Sequence, residues 1–222
     1  MRVEEAAAGQ PVVKRIVDRL RSEISLGQWR PSERLGIEEM RARFGVSAIS
    51  MREALSVLTG EGYVTALPQR GFFVSAYSRE TLRDMTRVRG ELECVGLRWS
   101  MQNATVDWRA LVVGAHHGLR ELELLVARDG KRHAVQWDQR NRDYHMSLCE
   151  ACGSPALLAQ IASLYDLTRR YRLAALDAIA IPGDASFREH EEILHLVLDD
   201  KAAEAEAALR AHIINATNEL GK

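Results

Sequence analysis

Cysteine is scarce, at three residues in 222, and that excludes a disulfide framework. Cys149 and Cys152 form a CxxC, but no second CxxC accompanies it. The pair falls inside a helical pattern, so packing thiols are expected there rather than a zinc or redox pair. Long apolar runs are missing too: Arg, Asp or Glu interrupts every stretch approaching the roughly 18–20 residues needed to span a bilayer. The first residues, MRVEEAAAGQPVVKR, contain acids and no apolar h-region, which argues against a signal peptide and for a cytoplasmic protein. A P-loop, a nucleophile elbow and a GxGxxG on a strand-to-helix turn are all absent, so the common enzyme signatures are not met. Charge of one sign is lacking as well. Residues 1–78 carry 11 Lys and Arg against 9 Asp and Glu (+2) and the rest carry 19 against 22 (−3), within a net charge of −1. A non-specific, architectural DNA binder would need a far more basic chain.

What is present is an ordinary globular composition, 46% hydrophobic and 27% charged, with length for one large or two modest domains. Residues 1–10 read as a flexible tail. Pro11 suits a first helical turn, and Val12, Val13, Ile16, Val17, Leu20 and Ile24 recur at helical spacing up to Leu26-Gly27. After the break at Gly27–Pro31, Ile37, Met40 and Phe44 mark a short second helix that Gly45 ends. Ser47 is positioned to cap a third helix, whose inner face holds Met51, Ala54, Leu55 and Leu58. Tyr63–Leu67 and Phe72–Ser75 are β-prone and joined by Pro68-Gln69-Arg70-Gly71, a hairpin. From Ser78 onward the pattern is helical throughout. Ser78 or Thr81 opens a first helix, and further helices are expected over about 105–128, 135–152, 155–178, 186–198 and 201–219. The clearest breaks lie at Gly153-Ser154-Pro155 and Pro182-Gly183-Asp184. Ser186 and Glu189 fit a capping box, and Asp200 is placed to start the last helix.

Two short helices around a Gly-Val-Ser turn, followed by a hairpin, are the layout of a winged helix-turn-helix, which sets one helix into the DNA major groove. The expected fold class is mainly α. A winged helix-turn-helix of three helices plus a β-hairpin wing spans 11–77, joined to an all-α helical bundle over 78–222. On the third helix the outward positions are Ala48, Ile49, Ser50, Arg52, Glu53 and Ser56. Arg52 can donate a two-pronged hydrogen bond to a guanine edge or hold phosphate. Ser47 and Ser50 can hold phosphate through hydroxyls at the helix start. Arg70 and Gly71 form the wing tip, for the minor groove or the backbone.

These residues resemble the GntR family of bacterial transcription regulators. The resemblance is carried by Leu35 and Met40, the run GVSAISMREAL from Gly45 to Leu55, Leu58, Glu61-Gly62, and Arg70-Gly71 with Val74. The family commonly writes the run as GVSRTPVREAL, so Arg52 and Glu53 match, while Ala48 replaces an arginine and Ser50 a proline. The resemblance implies DNA contacts from Ser47, Ala48, Ile49, Ser50, Arg52, Arg70 and Gly71.

In the helical part, Asn141 and His145 are i,i+4 and therefore about 40° apart on one helix face. His190 and His212 fall on two other helices. Three helices of a bundle can bring such groups to one centre and hold a divalent metal, although single histidines on helices are also common as surface or hydrogen-bonded core residues. This part resembles the FCD effector-binding domain of the FadR-type branch of the family. The marks are Arg89-x-x-Leu92-Glu93, Asn141-x-x-Tyr144-His145 with Gly153-Ser154, Glu189-His190-x-x-Ile193-Leu194, and Ala207 with His212. The resemblance implies a metal site of Asn141, His145, His190 and His212, and three imidazoles with an oxygen donor suit Zn, Ni or another divalent first-row ion. It also implies a small organic-acid effector, operator DNA and a second copy of the chain as partners, and repression as the action. Asn141 stands where an Asp is usual, which removes an anionic ligand and leaves a metal-free pocket as the alternative. Arg89 is the candidate clamp for an effector carboxylate, or else the partner of Glu93 in a salt bridge. Arg169, Arg170 and Arg172 are further candidates for the pocket.

The rival class is a metallohydrolase. His190 and His195 resemble an HExxH pair but stand at i,i+5, about 140° apart, and cannot share an ion as an i,i+4 pair does. His116, His117 and His133 read as surface residues. The chain is expected not to be an enzyme.

Overall fold

The computed structural model describes residues 11–76, 78–178 and 184–220, with the side chains of 131, 170, 174–178, 184–185 and 217–220 left aside. The expected tail at 1–10, Tyr77, Arg170 as a pocket residue and the Pro182-Gly183 break lie outside this description. The chain divides into two compact units, residues 1–77 and 78–222.

In the first unit, α1 (Val12–Ser25) buries Ile16, Val17, Leu20 and Ile24, the stripe that its helical spacing predicts. It packs on α3 (Ala48–Gly60), whose buried residues are Met51, Ala54, Leu55 and Leu58. Helix α2 (Ile37–Phe44) also packs on α3 and contributes Met40. Gly45 ends α2 at φ 65°, a left-handed conformation that costs glycine nothing. The sheet has the order β1-β3-β2, all antiparallel, with β1 Arg34–Leu35, β2 Val64–Leu67 and β3 Gly71–Val74. The sequence pattern predicts β2 and β3 but not β1. At two residues, β1 exists through its pairing with Phe72 and Phe73, not through any propensity of its own.

The second unit is helical throughout its described residues: α4 Arg79–Gln102, α5 Val106–Val126, α6 Gly130–Cys149, α7 Pro155–Ala178, α8 Asp184–Leu198 and α9 Ala202–Leu220. Ser78 caps α4 by accepting from the Thr81 amide, and Thr105 caps α5 by accepting from Trp108. Three expectations are corrected here. Helix α6 starts at Gly130 rather than near 135, with Asp129 as its cap. Helix α8 starts at Asp184, so Ser186 lies inside it and forms no capping box. The Asp200 carboxylate pairs with Arg109 at 2.6 Å instead of capping α9. The core runs through Leu97, Val112, Leu119, Tyr144, Leu148, Ile161, Ile193, Val197, Leu209 and Ile213. Cys149 and Cys152 are free, buried thiols beside a single 3-10 turn, Glu150–Cys152. Among the described residues no helix is long and apolar enough to cross a membrane.

Candidate functional site

Two sites emerge, one in each unit. In the first, Ser47 caps α3, its Oγ accepting from the Ser50 amide at 3.1 Å and lying 3.0 Å from the Ser50 hydroxyl. With Met51, Ala54, Leu55 and Leu58 turned inward, the opposite stripe is Ile49, Arg52, Glu53 and Ser56, all exposed. The two stripes repeat one spacing, i, i+3, i+4, i+7. Ala48 and Ser50 are half-buried beside the cap. At the wing, Arg70 is exposed and stands over the Phe73 ring at 5.9 Å. Gly71 takes φ 97°, and a Cβ there would come within 4.0 Å of the Arg34 guanidinium. Arg34 is a wing residue that the sequence reading did not select, because the strand holding it has no pattern of its own.

The second site brings Asn141, His145, His190 and His212 into one buried group. One nitrogen from each histidine lies within 4.8 Å of the others. The ring centroids are 4.4 Å apart for His190 and His212, 5.3 Å for His145 and His212, and 5.8 Å for His145 and His190. Each imidazole is held by a carboxylate on its Nδ1. His145 lies 2.7 Å from Glu93, His190 2.8 Å from Glu123 and His212 2.8 Å from Glu189. This arrangement sets the ring orientation and leaves Nε2 as the nitrogen that could hold a metal.

The anchors come from different helices: Glu93 from α4, Glu123 from α5 and Glu189 from α8. Sequence reasoning singled out none of them as histidine partners, since Glu123 and His190 are 67 positions apart. A signal was present all the same. Glu123 interrupts the inward stripe Trp108, Val112, Leu119, Val126 of α5, and a carboxylate on an apolar stripe needs a partner. His116 lies on that same stripe, so it is buried and meets Tyr144 edge-on at 5.5 Å. The expectation of a surface His116 is therefore corrected. His195 is exposed, and the cluster does not include it.

Burial keeps His145 and His190 below the ordinary imidazole value, which favours the neutral rings that a metal requires. Burial also pushes Glu123 up to about 7. It opposes ionisation of Glu93 as well, but the neighbouring His145 and Arg89 outweigh it and hold that carboxyl below its usual range.

Asn141 donates from Nδ2 to the Tyr165 hydroxyl. Its Oδ1 is buried without a partner, and so is His190 Nε2. Orphaned buried acceptors of this kind are rare and call for an explanation. Arg89 is buried rather than free. Its Nε lies 3.0 Å from Glu93 Oε1, and its guanidinium sits 4.7 Å from the Tyr165 ring centre. Arg172 packs closer on that ring, at 3.9 Å, and pairs with Asp138 at 2.8 Å. Arg169 meets the same carboxylate at 2.7 Å.

Comparison with known proteins finds a match for each of the two units. Residues 12–74 match the bacterial regulatory proteins of the gntR family, and residues 84–215 match the FCD domain. The uncharacterized HTH-type transcriptional regulator BphR of Paraburkholderia xenovorans is 36% identical over 91% of this chain and 82% of its own. The HTH-type transcriptional repressor GlaR of Escherichia coli is 28% identical over 88% of this chain and 89% of its own. The solved structure of E. coli McbR/YncC superposes with a TM-score of 0.76 at 18% identity, covering 95% of this chain and 97% of that one. These relatives are transcription regulators, not enzymes. The chain thus belongs to the GntR family of bacterial regulatory proteins, a DNA-binding transcription regulator whose winged helix-turn-helix precedes an FCD domain.

Proposed function

We propose that the protein is a cytoplasmic, homodimeric repressor. Its two winged helices bind the half-sites of a pseudo-palindromic operator, and a small organic acid bound in the FCD domain releases or re-orients them. The repressor assignment leans on relatives such as GlaR. The observation that carries the ligand-sensing half is the triple of buried imidazoles, each backed by a carboxylate, beside the orphaned His190 Nε2 and Asn141 Oδ1.

Three imidazole nitrogens and one carbonyl oxygen suit a first-row divalent ion, with Zn and Ni the preferred candidates. His145, His190, His212 and Asn141 would hold it. When bound, the ion supplies a positive centre for an effector carboxylate. The residues around it do the positioning. Glu93, Glu123 and Glu189 orient the rings, and Tyr165 holds the Asn141 amide so that its oxygen is free. Arg89 is the proposed clamp for the effector's acid group, drawn toward it from its ion pair with Glu93.

The test is elemental analysis of the purified protein beside His190→Ala. A stoichiometric divalent metal in the first and its loss in the second are expected; equal content in both would overturn the site. A thermal-shift screen of organic acids, with and without added Zn or Ni, then tests the effector class.

A further inference from the structure

Ile49 is 79% exposed in the first turn of α3. It heads the outward stripe, one turn before Arg52 and Glu53 and two before Ser56, all of them polar and exposed. Among the described large apolar side chains only Val106, in the other unit, is more exposed. An apolar side chain at the entry of a DNA-reading stripe has one kind of favourable partner on a base edge. It cannot pair with the N7 and O6 of guanine, the N6 of adenine or the N4 of cytosine, whereas the C5 methyl of thymine offers an apolar surface in the major groove. Facing a purine edge, Ile49 would strip water from acceptors and give nothing back. The hydroxyls of Ser47 and Ser50 at the same helix start offer backbone contacts that fix the height of the helix in the groove. Ala48 adds a second small apolar surface, half-buried beside the cap.

From this we infer that Ile49 reads a thymine methyl group, making it a specificity-determining residue for one position in each operator half-site. The inference rests on α3 entering the major groove and adds what that helix reads there. Arg52 supplies the hydrogen-bonded contact, and Ile49 supplies an apolar one that discriminates by shape and hydration.

The experiment is selection of binding sequences from a random DNA duplex pool with the full-length protein. Each thymine of the selected duplex is then replaced by uracil, which lacks the 5-methyl group. One thymine per half-site is expected to be sensitive, its replacement weakening binding about fourfold, the factor for one buried methyl group. Ile49→Ala should bind the thymine and uracil duplexes equally, while Ile49→Val, which keeps a branched methyl surface, should retain most of the preference. Tolerance of uracil at every position by the wild-type protein overturns the proposal, as does an equal loss in Ile49→Ala. In both cases tight binding of the selected duplex leaves the DNA-reading assignment standing. Failure to enrich any duplex removes that assignment, and this proposal with it.

Discussion

Glu93 Oε2 lies 2.7 Å from His145 Nδ1, both residues essentially without solvent exposure. The other oxygen of the same carboxylate faces Arg89 Nε at 3.0 Å. One side chain thus orients a proposed metal ligand and holds the proposed effector clamp. Replacing it with Gln keeps the shape and removes the charge. Glu93→Gln is expected to weaken divalent-metal binding about 10–100-fold, the usual cost of losing such an anchor. Competition against a chelator measures it, with circular dichroism confirming the helical fold; unchanged affinity would mean that Glu93 serves packing alone.

Asn141 offers a neutral oxygen where Asp would offer a charged one. Asn141→Asp should raise metal affinity by about tenfold or more, because a full charge beside an ion is worth more than 1.4 kcal/mol even at an effective dielectric near 20. The Tyr165 hydroxyl can then donate to the new carboxylate instead of accepting from the amide. Slower loss of metal to a chelator is the readout, and faster loss would place the oxygen of residue 141 outside the ligand set.

Gly96 of α4 lies against Cys149 at the end of α6. A Cβ there would lie 2.7 Å from Cys149 Sγ and 2.9 Å from Cys149 Cβ. Gly96→Ala should cost about 1–3 kcal/mol through overpacking, a drop of several degrees in thermal midpoint for a chain of this size. Adding Cys149→Ala should recover part of the loss, since the two residues share one space. Strictly additive destabilisation would refute the clash.

Arg52 is exposed on α3. Arg52→Ala should cost about 1–3 kcal/mol in operator binding if the guanidinium forks onto a base, with the melting temperature unchanged. Undiminished affinity in a gel shift would remove Arg52 from the interface.

Much of this was legible from periodicity. The stripes of α1 and α3 and the Ser47 cap follow from local spacing, and so does the pairing of Asn141 with His145 on one face. What was hidden depends on partners distant in the chain. The strand β1 has two residues and needs β3 to exist. The start of α6 at Gly130 is obscured because glycine is a poor helix former, and the one local signal is the Asp129 cap before it. Ser186 and Glu189 have the spacing of a capping box, yet Glu189 is spent on His212 and Asn215. The acid for His190 could be found only by asking why Glu123 stands on an apolar face.

Glu189 and His190 are chain neighbours that bond to different neighbours of α8, one reaching His212 on α9 and the other Glu123 on α5. With Glu93 and His145 added, α4, α5, α6, α8 and α9 each place one or more members in this polar chain. The proposed sensing groups and the scaffold are therefore the same residues, which constrains how such a regulator can diverge. A lineage changing its effector cannot rebuild these six residues one at a time without loosening the bundle. New ligand preference has to enter through side chains outside the pairs, leaving the acid–imidazole skeleton as the slow-changing part of the domain.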